Sequence, residues 1–289
     1  GDAIRIANPM AGRCLGAGHD VRATGKTMSL NATTPSSLIA KLAETPAEID
    51  AAQALRYRVF FEERDAKATP RQAALRRDID PFDEVADHLI VVDSSIADAS
   101  RRVVGTYRLL RHGAAARADG IYTAGEYDVT RLLNRGLRLL ELGRSCVAKS
   151  HRTRHTINLL WHAIATYIDD HRIDLLFGCA SFPGTDPLTL RLPLSYLYHY
   201  HLAPSRMRPR ALEARFVEMN RLAKSEISTR EALFAMPPLI KGYIRLGAHI
   251  GDGAVIDPDF GTVDVCIVLS REQIDARYGR HYRGARKAL

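Results

Sequence analysis

The residues best suited to chemistry stand between Leu139 and Trp161. Glu141, Gly143, Arg144 and Ser145 lie within an apolar run, Leu-Leu-Glu-Leu-Gly-Arg-Ser-Cys-Val, and His151, Arg152, Arg154 and His155 follow in a polar one. A glutamate can take the proton of an attacking amine, directly or through a water, and main-chain NH groups beside a glycine can hold an oxyanion. The basic residues precede apolar positions Ile157, Leu160, Trp161, Ile164 and Ile168, whose spacing predicts a helix. A helix start leaves NH groups unpaired at the positive end of its dipole, so an anion should dock there.

The element that must carry Glu141 and Arg144 is a strand. Three positions apart, they would face opposite sides of a regular strand, and Gly143 between them is where a bulge would re-aim one of them. Glu141 could equally pair with Arg144 or with Arg108. A bulged strand facing an anion-binding helix start describes an acyl-thioester site. At these residues the chain resembles the GCN5-related N-acyltransferase fold, which implies a mixed α/β architecture: a mostly antiparallel sheet, a bulged central strand splayed from the next, and pantetheine phosphate on the following helix. The usual loop there is Arg/Gln-x-x-Gly-x-Gly/Ala. Arg152-Thr-Arg-His-Thr-Ile157 lacks both glycines, which points to a divergent branch and to a donor other than acetyl-CoA.

The whole chain sets bounds on these readings. Its 289 residues are 46% hydrophobic, enough for one domain over 38–289. Residues 1–37 lack periodicity and a secretory apolar segment and read as disorder or an extension, with Met28 an alternative start. The net charge of +8 comes from interleaved charges, 41 basic against 33 acidic, which favours an acidic partner or an anionic lipid surface over a polybasic arm. With 7% aromatic residues, no zinc spacing and no aromatic RNA-binding motif, nucleic acid is not expected. Cys14, Cys146, Cys179 and Cys266 are scattered, mostly in apolar runs, and read as buried free thiols of a reducing cytoplasm. No apolar run is long enough to span a bilayer, so any membrane contact is peripheral.

Around the central stretch, Leu38–Ala43 predicts a strand, and Thr45-Pro-Ala-Glu48 a capped helix to about Glu63 that carries Arg56 and Phe60. Residues 78–88 hold Asp80 and Asp83 in an acidic segment, either a solvated loop or a pocket for a cationic substrate. His88–Asp93 and Arg102–Arg111 predict a hairpin, and Arg108 on its second strand needs a carboxylate mate or a substrate anion. Leu188 to Leu202 alternates at period two around Pro193, leaving strand and broken helix open, and core or an acyl groove as its role. Strands are expected near Leu175–Ser181, Ala254–Ile256 and Thr262–Leu269, with Asp259 in the last connection. His199 and His201, or His151 and His155, could share a metal, but neither pair has a third ligand nearby, and no metal is expected.

Arg56 with Phe60, Asp80 with Asp83, Arg108, and Glu141 with Arg144 resemble, in order, motifs of the acyl-homoserine-lactone synthases. Longer stretches are similar to the bacterial L-ornithine N-alpha-acyltransferase family: Leu-Arg-Tyr-Arg-Val-Phe, Leu-Glu-Leu-Gly-Arg-Ser-Cys-Val, Gly-Cys-Ala-Ser-Phe-Pro-Gly-Thr-Asp and Gly-Asp-Gly-Ala-Val-Ile-Asp-Pro-Asp-Phe. That resemblance covers about Leu38 to Tyr282. It implies transfer of a 3-hydroxyacyl chain from acyl carrier protein to the α-amine of L-ornithine, giving lyso-ornithine lipid, with no cofactor beyond the phosphopantetheine of the donor. On this reading Glu141 is the base, and Gly143, Arg144 and Ser145 supply oxyanion donors. Arg56, Phe60, Asp80, Asp83, Arg108 and Asp259 bind substrate, while His151, Arg152, Arg154 and His155 meet the carrier or pantetheine. A cytoplasmic enzyme at the inner membrane face would follow. His88–Asp93 and Phe182-Pro-Gly-Thr-Asp186 echo glycerolipid O-acyltransferases more weakly, and a haemolysin-like membrane-active protein is the remaining alternative.

Overall fold

A computed structural model of the chain describes residues 37–115 and 120–282, with side chains through 276. The expectation for residues 1–37 therefore falls, except for Ser37, outside the described residues, as do Cys14 and Met28.

The described strands are β1 (Leu38–Leu42), β2 (Asp87–Asp93), β3 (Val103–Arg111), β4 (Tyr127–Asp128), β5 (Leu139–Val147), β6 (Leu175–Pro183), β7 (Arg210–Ala211), β8 (Phe216–Val217), β9 (His249–Ile250), β10 (Ala254–Asp257) and β11 (Thr262–Ser270). The α-helices are α1 (Pro46–Tyr57), α2 (Pro70–Leu75), α3 (His112–Ala115), α4 (Thr130–Leu133), α5 (Arg154–Asp170), α6 (Arg191–His201), α7 (Thr229–Ala235), α8 (Pro238–Arg245) and α9 (Arg271–Tyr282). Thr45 caps α1 in a reciprocal box with Glu48, and a π-helical turn over Arg58–Glu62 extends it.

The main sheet runs β1-β2-β3-β5-β6-β11-β10-β8, with β9 also on β11. β2 and β3 form the expected hairpin. The neighbours are antiparallel except β5 and β6, which are joined through α5 and pair in parallel only from Leu139–Leu175 to Glu141–Phe177. Past that point β5 stays with β3 and β6 with β11, so the sheet opens. Gly178 stands at the opening with φ +154°, where an added Cβ would lie 2.2 Å from the Leu142 carbonyl oxygen. Only glycine allows that approach.

Helices α5, α6, α7 and α8 cover one face, on a core that includes Leu89, Tyr107, Leu142, Leu160, Tyr243 and Val265. On the other face lie α1 and the segment from Ile121 to Leu132, over Leu110, Phe177, Val255 and Cys266. The alternating Leu188–Leu202 stretch resolves as helix α6. Pro193 falls in its first turn, where no intrahelical NH partner is lost, and Leu194 and Leu197 are fully buried. Gly178→Ala is expected to destabilise the protein by about 3 kcal/mol, because the opposing atom is main chain and cannot swing away; thermal or urea unfolding measures it.

Candidate active site

Opposite β3, Gly143 pairs with Arg108 and Cys146 with Thr106, so Arg144 and Ser145 together face Tyr107. This is the bulge expected in β5. The left-handed residue is Arg144, with φ +51°, rather than Gly143. Such backbone is unfavourable for a side chain as large as arginine, and the contacts of its guanidinium account for it.

Those contacts close a ring. Arg56 Nε meets Asp78 Oδ2 at 2.8 Å, Asp78 Oδ2 meets Arg144 Nε at 3.2 Å, and Arg144 Nη2 meets Asp80 Oδ2 at 3.1 Å. Asp80 pairs with Arg108 at 2.5 Å, Arg108 with Asp83 at 3.2 Å, and Asp83 Oδ2 with Arg56 Nη2 at 2.6 Å. Arg56 and Asp78 are inaccessible and the other four are largely buried. Burial alone would raise the Asp83 carboxyl, but Arg56 more than offsets it and holds it well below the carboxylate range. Asp80 is lowered against burial chiefly by Arg108. The segment 78–83 is thus neither a solvated loop nor an open cation pocket, because its carboxylates already hold arginines. Arg108 has its mates in Asp80 and Asp83 and offers no free site for a substrate carboxylate.

Glu141 pairs with neither arginine. Its Oε2 accepts the Tyr122 NH at 3.0 Å, and its Oε1 accepts the Thr123 NH at 2.6 Å and the Thr123 hydroxyl at 2.5 Å. It is 4% exposed and fixes the turn Tyr122–Gly125. Tyr122 in turn lies 4.8 Å from the Arg144 guanidinium, and Phe260 lies 4.9 Å from it on another side. Phe60 packs edge-on against Phe260, at 5.8 Å. Asp259 is exposed, and its carbonyl accepts the Lys67 NH at 2.7 Å.

On the opposite face of the opening, Leu142, Gly178, Cys179, Tyr243 and Ile267 line a narrow cleft. The Tyr107 hydroxyl has those of Ser145 and Tyr243 beside it, and burial pushes both phenols above their usual range. Trp161 of α5 packs edge-on against Tyr243 at 5.3 Å. At the start of α5 the Thr153 side chain accepts the Thr156 NH. Of the basic residues expected to meet the carrier, His151 is engaged with Asp93 at 3.0 Å, and Arg152 in a two-pronged pair with Glu63 at 2.5 and 2.7 Å. Arg154 and His155 are exposed, as are Arg64 and Lys149.

Neither histidine pair joins a third ligand among the described residues. The group with metal-like spacing there is Glu126, Asp257 and Asp264, of which Asp257 falls within the motif Gly-Asp-Gly-Ala-Val-Ile-Asp-Pro-Asp-Phe and the other two in none. Tyr122 and Thr123 carry no mark in the sequence, whereas Asp78 opens the acidic segment 78–88. Asp264 carries a signal, a carboxylate inside the apolar run Thr262–Leu269. The weaker O-acyltransferase echo finds no site, since buried His88 bonds the Asp83 carbonyl and Asp93 bonds Ser95 and His151.

A parallel strand pair that opens beside a bulge, ahead of a helix start, defines an acyltransferase of the GCN5-related class. Residues 55–162 match the Acetyltransferase (GNAT) domain family. The chain is 50% identical over 249 residues to the L-ornithine N(alpha)-acyltransferase of Brucella abortus (strain 2308), across 85% of this chain and 89% of that one. It is 47% identical over 249 residues to the protein of the same name from Rhizobium meliloti (strain 1021), across 85% and 84%. The chain belongs to the L-ornithine N(alpha)-acyltransferase family. Among solved structures, an N-acyl amino acid synthase from uncultured soil microbes aligns over 83% of this chain and 94% of that one, at 13% identity and TM-score 0.48.

Asp83→Asn leaves Arg56 and Arg108 short of a countercharge and is expected to cost about 3–5 kcal/mol of stability. Because the folded Asp83 carboxyl titrates below its unfolded value of about 3.9, its contribution is complete above about pH 4 and is lost as pH falls through the folded value. Melting between pH 2 and 5 should therefore show a shallower acid loss in Asp83→Asn than in wild type. For Glu141→Gln the amide NH₂ would face NH donors, so a stability loss of about 1–3 kcal/mol is expected, with activity that higher pH does not restore. An unchanged melting temperature with activity recovered at alkaline pH would instead make Glu141 the base.

Proposed function

We propose that the chain transfers a 3-hydroxyacyl group from the phosphopantetheine of acyl carrier protein to the α-amine of L-ornithine, forming lyso-ornithine lipid. The observation that carries this reading is the opening of β5 from β6 immediately after Glu141 and Phe177, with the Arg144–Ser145 bulge on its rim. The names of the relatives support ornithine as acceptor. The thioester lies in the opening, and NH groups of Gly143 to Ser145 receive the oxyanion.

The attacking amine must enter as its free base, the minor form near neutral pH, and Glu141 acts by holding the Tyr122–Gly125 turn. After attack, the nitrogen gives its proton to water, the C–S bond breaks, the leaving sulfur takes a proton from the hydroxyl of Tyr243 or Tyr107, both kept protonated by burial, and the phenolate regains that proton from water. No cofactor beyond the donor's phosphopantetheine enters these steps.

The acidic carrier docks on Arg154, His155, Lys149 and Arg64. The product is a membrane lipid, and the chain works peripherally at the inner face of the cytoplasmic membrane. No helix among the described residues is long and apolar enough to cross a membrane. Phe234 on α7 is 82% exposed and Leu188 before α6 is 63% exposed, which fits shallow contact with lipid.

The test is acylation of L-ornithine with 3-hydroxyacyl carrier protein and with acetyl-CoA, read by mass spectrometry. The carrier thioester is expected to win by at least about 10-fold in kcat/KM, and Arg154→Glu to raise its KM while flattening the salt dependence. Equal or better use of acetyl-CoA would refute the donor assignment. Arg152→Glu is a poor probe because it also strands Glu63.

A further inference from the structure

Behind the turn that Glu141 holds, three carboxylates converge. Glu126 follows that turn, Asp257 ends β10, and Asp264 stands on β11 opposite Ser181 of β6. One oxygen from each lies within 4.8 Å of the others. Glu126 is 3%, Asp264 5% and Asp257 8% exposed. Asp257 Oδ1 accepts the NH groups of Asp259 and Phe260, but Glu126 Oε2 and Asp264 Oδ1 have no hydrogen-bond partner among the described residues. Arg215, whose charge reaches the group, donates to the carbonyls of Gly125 and Ile256 rather than to a carboxylate.

The contrast with the arginine ring is sharp: there each buried carboxylate meets guanidinium groups, whereas here no guanidinium bonds a carboxylate, and the neighbours are the Ser181 and Thr262 hydroxyls beside Asp264 and the Cys179 thiol beside Glu126. Buried unpaired carboxylates are unfavourable unless a proton or a cation joins them. The group also adjoins the bulge. Cys179 neighbours Glu126, and its sulfur lies 4.0 Å from the Thr123 hydroxyl that Glu141 holds. The Asp257 turn carries Phe260, which faces Arg144. Ser181, paired with Asp264, is exposed.

We propose that Glu126, Asp257 and Asp264 receive the side-chain ammonium of the acceptor, a primary ammonium on an unbranched alkyl chain. This rests on the reading of ornithine as acceptor and replaces Asp80, Asp83 and Asp259 as its cation site. An ammonium has three donors, and acceptors about 2.8 Å from a tetrahedral nitrogen stand about 4.6 Å apart, inside the 4.8 Å within which these oxygens lie.

Two groups in the cluster are also set to give up protons to an incoming cation. Burial, then Asp264, pushes Glu126 up to about 7. Burial pushes Asp264 up to about 6, with Ser181 and Thr262 opposing and Asp257 adding. Cys179 and Tyr127, themselves raised by burial, also face Glu126 and stay neutral. Ammonium affinity therefore rises from pH 6 to pH 8.

The experiment compares L-ornithine with L-norvaline, the same skeleton without the ammonium. In wild type at pH 8, millimolar L-ornithine without acyl donor is expected to raise the melting temperature, and L-norvaline is not. Glu126→Gln and Asp264→Asn should each remove most of that shift and lower the ornithine-to-norvaline ratio of kcat/KM by about 10-fold or more. Equal shifts from the two amino acids in wild type, an unaltered ratio in the folded variants, or stabilisation by calcium or magnesium in place of ornithine would each overturn the proposal. The wild-type melts decide even if a variant does not fold, and they need no turnover. Failure to acylate ornithine at all would separately defeat the proposed function.

Discussion

Six alternating charges in a closed circuit set the frame of this acyltransferase. Each aspartate of Asp78, Asp80 and Asp83 touches two arginines, and each of Arg56, Arg108 and Arg144 touches two aspartates. An isolated buried ion pair barely recovers the hydration it gives up. A circuit does better, since every charge has two opposite neighbours and the whole is neutral. It also ties together four parts of the chain: α1, the segment before β2, the strand β3 and the bulge of β5. The left-handed backbone at Arg144 is held by that circuit, and with it the direction in which the bulge presents its NH groups.

The opening between β5 and β6 then separates two environments. On the α5 and α8 side the lining is apolar and phenolic, suited to a thioester and its leaving sulfur. The other side carries Tyr122, Phe260 and the carboxylates of Glu126, Asp257 and Asp264. Glu141 works at the boundary: it stands on the last residue pair shared by β5 and β6 and anchors the turn that shapes the second side.

Much of this was legible in the chain and some was not, for physical reasons. α5 announced itself through its apolar period, α1 through Thr45 and Glu48, and the bulge through Gly143 between two charges in an apolar run. The need of Arg108 for a partner was visible too. Which partner was not, because Asp80 lies 28 positions away and Arg144 meets Asp80 across 64, and long-range pairing leaves no local pattern. The hold of Glu141 on Tyr122 and Thr123 left no pattern because its partners are mainly main-chain NH groups, which every residue but proline carries. The alternation from Leu188 to Leu202 left strand and helix both open, because leucines at 190, 194 and 197 also fit one helical face.

β6 is the strand against which both neighbours close, β5 on one edge and β11 on the other. β5 precedes it on the ribosome, but β11 ends at Ser270, nearly ninety residues after β6 is complete. At about 5–20 residues per second, that edge of Leu-Leu-Phe-Gly-Cys-Ala waits roughly 4 to 17 seconds for its partner. A nascent chain with so apolar an edge is open to mispairing throughout that interval, so the demand of this fold on chaperones is set by the order in which its strands are made.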